Sequence, residues 1–174
     1  MMKISVLIPA YNAAATIGPT LESVLAQTRP PDEIIVLDDG STDQTAKAVE
    51  AYAPRVTLHR QKNRGLGSSR NVLCKMAQGD LVAFLDSDDL WHPRYLEVQS
   101  GLVERFPDAG AFFTGHTIFK NFECLEWSGD TSEPDFGQTQ VMDSLSFFVT
   151  YNKAPGRFFM SFCCLPRRTI SELG

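Results

Sequence analysis

No uninterrupted apolar stretch in this chain approaches the roughly eighteen residues that cross a bilayer, so no segment reads as a membrane span. The start lacks the marks of a secretory leader, because Lys3 is followed by a short strand-like run and Pro9 in place of a long apolar core and a cleavage site. Cysteine is scarce. Cys74, Cys124, Cys163 and Cys164 form no C-x-x-C pair, and the adjacent Cys163 and Cys164 make a poor zinc clip, which leaves buried free thiols as the reading. Basic excess is missing too: 16 Lys and Arg against 21 Asp and Glu give a net charge of -5. A nucleic acid partner is therefore not expected, since displacing counterions from a phosphate backbone takes a basic face. No G-x-x-x-x-G-K-S/T occurs, which excludes a Walker-type phosphate loop. His59, His92 and His116 show no metal-ligand spacing. These absences predict a chain in a reducing cytoplasm and leave peripheral association with the cytoplasmic face of a membrane open.

With 43% hydrophobic and 21% charged residues over 174 positions, the chain has enough material for the core of one domain. Ile4-Ser5-Val6-Leu7-Ile8 reads as a first strand stopped by Pro9, and Ile17, Leu21, Val24 and Leu25 place a helix to about Gln27. Pro30-Pro31 precedes a second strand, Ile34-Ile35-Val36-Leu37. Ser41 and Gln44 have capping-box spacing for a second helix through Tyr52. Val56 to His59 reads as a third strand, Asn63 to Ser69 as a glycine-rich loop, and Ser69 to Ala77 as a third helix. A strand from Leu81, a helix carrying Leu96, Leu102, Val103 and Phe106, and a fifth strand at Ala111 to Thr114 follow. Ile118 to Trp127 suits an antiparallel hairpin or edge pair, Ser128 to Gln138 a loop, and Met142 to Val149 a helix. Met160 to Leu165 reads as a last strand, and Arg168 to Gly174 as the start of a helix. Alternation of strand and helix implies an α/β fold with right-handed crossovers, a mostly parallel sheet, helices on both faces and a small antiparallel edge.

The chemistry concentrates where strands end. Leu81-Val82-Ala83-Phe84-Leu85 breaks abruptly into Asp86-Ser87-Asp88-Asp89, which puts three acids at a carboxyl edge, where open α/β sheets hold their ligands. Crowded carboxylates repel, so a hard divalent cation held by oxygen is one reading, and an acidic turn capping the next helix is the other. The second strand ends in Asp38-Asp39, of which Asp38, like Asp43, suits the turn and helix start. Tyr11 offers an aromatic face, Asp39 an acceptor for a base N–H, and Arg70 a positive charge where the orphan amides of a helix start already favour an anion. Trp91 and Trp127 read as packing residues.

Four stretches carry a resemblance over essentially the whole chain. They are Val6-Leu7-Ile8-Pro9-Ala10-Tyr11-Asn12, Ile34 to Asp43, Asn63-Arg64-Gly65-Leu66-Gly67-Ser68-Ser69-Arg70-Asn71, and Gly79 to Asp89. In this order and spacing they resemble the nucleotide-sugar-binding part of a family 2 glycosyltransferase with the Rossmann-like GT-A fold. The resemblance implies one domain over residues 1–174, with a nucleotide-binding part at 1–110 and the start of an acceptor part at 111–174. It implies that Pro9, Ala10 and Tyr11 border the nucleoside, that Asp39 bonds the base and that Arg70 lies near the nucleotide. In the D-x-D-like region it assigns Asp88 to the ribose and, with Asp89, to a manganese or magnesium ion, and it leaves Asp86 supporting the loop. The implied reaction is metal-dependent transfer of a sugar, with inversion, from a nucleotide-diphosphate donor to a hydroxyl on a saccharide or lipid-linked acceptor. The general base is expected beyond Gly174, past the Arg167-Arg168 and Leu173-Gly174 region.

Two other classes compete. A non-catalytic nucleotide-sugar-binding or interaction module would show the same donor-side residues without the base. A phosphohydrolase using Asp86 as nucleophile would want Thr or Val where Leu90 stands, and it leaves Asp39 and the glycine-rich loop unexplained.

Overall fold

The computed structural model of the chain describes residues 2–114 and 163–173. β1 (Ile4–Ala10) is buried along its whole length. Ile4, Val6, Ile8 and Ala10 join one apolar cluster and Leu7 joins the other, so the strand is covered on both sides and has no cause to alternate with polar residues. It pairs in parallel with β2 (Glu33–Asp38) on one side and β4 (Leu81–Phe84) on the other, and β3 (Thr57–Arg60) lies parallel beyond β2. α1 (Ile17–Leu25), α2 (Thr45–Glu50) and α4 (Tyr95–Arg105) supply Ile17, Leu21, Val24, Val49, Leu96 and Leu102 to one face of the sheet. Fully burying such a side chain is worth about 1.5–3 kcal/mol. α3 (Leu66–Met76) covers the opposite face through Leu73, with Ile170 of α5 (Arg167–Leu173) beside it.

With the short β5 (Phe112–Phe113) and β6 (Cys163–Pro166), the strand order among the described residues is β3-β2-β1-β4-β6-β5. The chain therefore leaves β1 toward β2 and β3, then returns through α3 on the other face to β4. That reversal makes the gap between the ends of β1 and β4 a topological switch point, the place where such sheets open a crevice. The mixed, mostly parallel architecture expected from the residue pattern is present.

Several boundaries differ from the residue pattern, each for a physical reason. β1 continues through Pro9 to Ala10. The carbonyls of Ile4 and Ala10 accept from the β2 side and that of Leu7 from the β4 side, so Pro9 faces β4 beyond its last registered pair, Leu7 with Phe84. The missing N–H costs no ladder bond there. α1 stops at Leu25, and Gln27 turns instead to the loop before α4. α2 stops at Glu50 rather than Tyr52, and Ser41 does not cap it; Asp43 Oδ1 accepts from both the backbone N–H and the hydroxyl of Thr45 in that role. β3 is shifted one residue, to Thr57–Arg60. α3 starts at Leu66 rather than Ser69, because Gly65 takes the cap position at φ 83°, a conformation that favours glycine.

The antiparallel element is β6 (Cys163–Pro166), inserted between β4 and the short β5 (Phe112–Phe113). The hairpin expected at Ile118 to Trp127, the helix expected at Met142 to Val149, Cys124, His116 and Trp127 lie outside the described residues. Cys163 and Cys164 are buried free thiols, and burial pushes the first up to about 12 and the second higher still. Cys74 is free and only half-buried. Among the described residues no helix is long and apolar enough to cross a membrane.

Candidate functional site

The registers Ala10 with Asp38 and Leu7 with Phe84 bring the ends of β1, β2 and β4 to one edge of the sheet. Asn12, at φ 50°, turns the chain there: its N–H donates to Ser41 Oγ at 2.9 Å, and its Oδ1 accepts from the N–H of Thr42 at 2.9 Å. The loops after β1 and β2 are thus one hydrogen-bonded unit. Tyr11 stands on it 51% exposed. Leu66, at the start of α3, is equally exposed, and these are the two exposed large apolar side chains among the described residues. Pro9 and Ala10, the last residues of β1, are buried.

Asp38 and Asp39 divide their work. Asp38, fully buried, receives the N–H of Ser41 at 2.8 Å and Arg60 Nε at 3.0 Å, so it closes the turn and ties β2 to β3. Asp39, only 4% exposed, faces the glycine-rich loop. Its Oδ1 accepts from Gln61 Nε2 at 2.7 Å and the N–H of Arg64 at 2.9 Å, and its Oδ2 accepts from the N–H of Gly65 at 2.8 Å. Gly40 makes this approach feasible: a Cβ there would come 2.7 Å from Asn63 N, and its φ of 78° suits glycine. A carboxylate accepts at about four places, and protein donors already fill most of them. Burial pushes the acid's pKa up, but the bonds from Gln61, Arg64 and Gly65 outweigh it and hold Asp39 below its ordinary 3.8.

That direction has a measurable consequence. A carboxyl held low by folding stabilises the protein above its unfolded value of about 3.9, and the contribution is lost as the pH falls through the folded value. The stability difference between wild type and Asp39→Asn should be constant above about pH 5 and shrink below about pH 4. Urea titrations at several pH values check this, and a difference that stays level down to pH 2.5 would contradict it.

At the end of β4 the acidic turn is closed by the N–H of Asp89 on the carbonyl of Asp86, 3.1 Å. Asp86 Oδ1 takes Arg70 Nη2 at 2.7 Å, both side chains being partly exposed at 33% and 22%. This places Asp86 as the holder of Arg70. Arg70 Nε is buried with no hydrogen-bond partner among the described residues, a costly arrangement unless an acceptor arrives with a ligand. Asp88 is exposed and Asp89 half-buried. α1 pins the turn from behind, because Thr20 Oγ1 donates to the Ser87 carbonyl at 3.1 Å and Ser23 Oγ accepts from the N–H of Trp91. Trp91 is buried and stacked on Tyr95, centroids 4.2 Å apart, as a packing residue. Among the described residues no three His, Cys, Asp or Glu side chains converge as a metal cage.

The sheet edge therefore gathers Tyr11, Asp39, Arg70 and Asp86 to Asp89 around a switch point. Two contributors carry no sequence signal. Gln61 is one polar residue in a polar run, and Leu66 reads as part of a loop.

Comparisons with known proteins identify the family and the fold. The family described as Glycosyl transferase family 2 matches residues 5–168. The Escherichia coli protein named UDP-Glc:alpha-D-GlcNAc-diphosphoundecaprenol beta-1,3-glucosyltransferase WfgD is 39% identical over 102 residues, 58% of this chain and 40% of that protein. Among solved structures, S. aureus TarS in complex with UDP superposes with a TM-score of 0.57 at 35% identity, over 61% of this chain and 33% of that one. Glucosyl-3-phosphoglycerate synthase from Mycobacterium tuberculosis, solved with Mn2+, UDP and phosphoglyceric acid, gives 0.54 at 30% identity, over 63% and 42%. The chain spans less than half the length of each of these proteins. The fold is that of the GT-A glycosyltransferases, and the chain belongs to glycosyl transferase family 2.

Proposed function

We propose that this chain is the donor-binding part of an enzyme that moves a sugar from a nucleoside-diphosphate carrier to an acceptor hydroxyl, with a divalent metal and with inversion at the anomeric carbon. The observation that carries the reading is Arg70. Its guanidinium is fixed by Asp86, near the start of α3, with one buried N–H that has no acceptor among the described residues. A diphosphate supplies such acceptors, and the first amides of α3, which have no side-chain cap, add to the attraction. Tyr11 and Leu66 offer apolar surface to a base, and Asp39, at the end of β2, would accept a ring N–H from it. In the same reading Pro9 and Ala10 form the floor beneath the nucleoside and Asp88 reaches the ribose.

The acidic turn fits a hard cation that shares its shell with a ligand. With Asp86 engaged by Arg70, half-buried Asp89 and exposed Asp88 are the acids proposed to face the ion, too few among the described residues for a closed protein cage but suited to manganese or magnesium bound partly through a diphosphate. A bound ion would supply positive charge opposite the departing diphosphate. Arg70 would stabilise the same leaving oxygens by direct donation. The bond from the anomeric carbon to the diphosphate oxygen breaks as the acceptor oxygen bonds from the opposite face, and a carboxylate takes the acceptor's proton. The name of WfgD specifies a diphosphoundecaprenol-linked acceptor, and a saccharide or lipid-linked saccharide is the acceptor class proposed here, met at the cytoplasmic face of a membrane.

Thermal unfolding with uridine and guanosine diphosphate sugars, with and without Mn2+ or Mg2+, tests the reading. A ligand at a hundred times its Kd adds about 2.7 kcal/mol, or about 5–10 °C in Tm for a chain of this size. Failure of every nucleotide sugar to raise Tm in the presence of either metal would sink the proposal.

A further inference from the structure

We propose that Gln61 is a positioning residue for nucleotide binding, its side-chain amide locking Asp39 to the first turn of α3. The proposal rests on the functional reading above only for its ligand. Gln61 Nε2 donates to Asp39 Oδ1 at 2.7 Å and to Ser69 Oγ at 3.2 Å, one hydrogen to each. Ser69 is fully buried, and its hydroxyl passes the chain on to the Gly65 carbonyl at 3.2 Å. The backbone N–H of Gln61 is itself anchored on the Asp38 carbonyl at 3.0 Å, so the side chain starts from a fixed point. Two acceptors on one nitrogen leave the amide a single workable orientation, because the flipped form would set Oε1 against a carboxylate. Ser69 precedes Arg70 in α3. Through this residue, the acceptor at the base end of the crevice and the guanidinium at the diphosphate end share one hydrogen-bonded frame.

The chemistry of the link is asymmetric, which makes it testable. A Glu at position 61 has the same shape but would place a second carboxylate against Asp39, and two such groups share a proton with one pKa raised. Protonated, it donates to Asp39 as the amide does; ionised, it repels. The charged groups on the neighbouring elements are Asp38 with Arg60, Asp43, His59 on β3, Lys62 and Arg64 on the loop, and Arg70 with Asp86. His59 is common to all the proteins compared.

The experiment has two arms. In ligand-free protein, carboxyl NMR of Asp39 and amide exchange of Arg64 and Gly65 are compared in wild type and Gln61→Met. The expected result is a raised Asp39 titration and at least tenfold faster exchange at both amides, with the remaining core amides unchanged; identical behaviour of the two proteins would overturn the proposal. In the second arm, Kd for uridine and guanosine diphosphates with Mn2+ is measured at pH 5 and 8. Gln61→Met should weaken binding about tenfold at both pH values, as loss of one hydrogen bond to a charged group does. Gln61→Glu should bind within threefold of wild type at pH 5 and at least tenfold more weakly at pH 8. Wild-type affinity for Gln61→Glu at pH 8 would overturn the link. Should wild type bind neither nucleotide, the functional reading falls, and the ligand-free arm still decides the role of Gln61.

Discussion

Gly79→Ala is expected to cost about 3 kcal/mol or more, the upper range for forcing an atom into a packed site. The reason lies at the edge of the sheet opposite the crevice. A Cβ on Gly79 would sit 2.7 Å from both Ser5 N and Ser5 Oγ and 3.0 Å from Ile4 C, so it meets β1 backbone that cannot step aside. The same atoms are already in use. The N–H of Gly79 donates to Ser5 Oγ, Ser5 donates to Glu33, Glu33 also accepts from the N–H of Gln78, and the N–H groups of Asp80 and Leu81 both reach the Lys3 carbonyl. Moving Gly79 away thus breaks the entry of β4 beside β1. With an m-value of about 2 kcal/mol per molar urea, the midpoint should fall by about 1.5 M. A midpoint within about 0.3 M of wild type, a shift of about 0.6 kcal/mol at that m-value, would show that β1 yields where this packing says it cannot.

In the enzyme of which this chain is proposed to be the donor-binding part, Arg70→Met should lower the rate of sugar transfer about 10²- to 10³-fold, the usual cost of losing one preorganised donor to a developing negative charge. Methionine keeps the length and apolar contacts of the stem, so the fold and α3 should survive. What is lost is the guanidinium, and Asp86 is left partly buried without its 2.7 Å partner. Most of the loss should fall in kcat rather than KM if the donated bonds strengthen as the diphosphate departs. Arg70→Lys should recover only part of the rate, because an ammonium cannot serve Asp86 and a phosphate as a fork. Asp86→Asn should be milder than Arg70→Met, since it loosens the arginine without removing it. Steady-state kinetics on a nucleotide sugar decide the matter, and an Arg70→Met enzyme within threefold of wild type would remove Arg70 from the chemistry.

The residue pattern shows most plainly where the chain is fully covered. β1, β2 and β4 are continuous apolar runs because both faces of each are packed, and their breaks into Tyr11-Asn12, Asp38-Asp39 and Asp86 to Asp89 mark one edge of the sheet. The start of α3 is hidden, because Leu66-Gly67-Ser68 has loop composition and becomes helical only behind Gly65 in a conformation that side chains avoid. Pairing across the sheet leaves no local trace at all. Nothing near Arg70 announces Asp86, since their meeting depends on α3 crossing back over β1. For the same reason Asp39 reads in the sequence as an acceptor for a ligand, whereas its buried position gives it three protein donors first.

The insertion of β6 has a temporal consequence. β4 finds its outer neighbour only when Cys164 settles opposite Ala83, about eighty residues further along the chain, and β5 pairs with that same late strand. On the ribosome the first four strands can assemble while β4 still presents an unsatisfied flank, because long-range closure is slow and domains form from the end made first. The nascent chain thus carries a sticky margin until that late segment emerges, and chaperone occupancy should be greatest in the interval between the two.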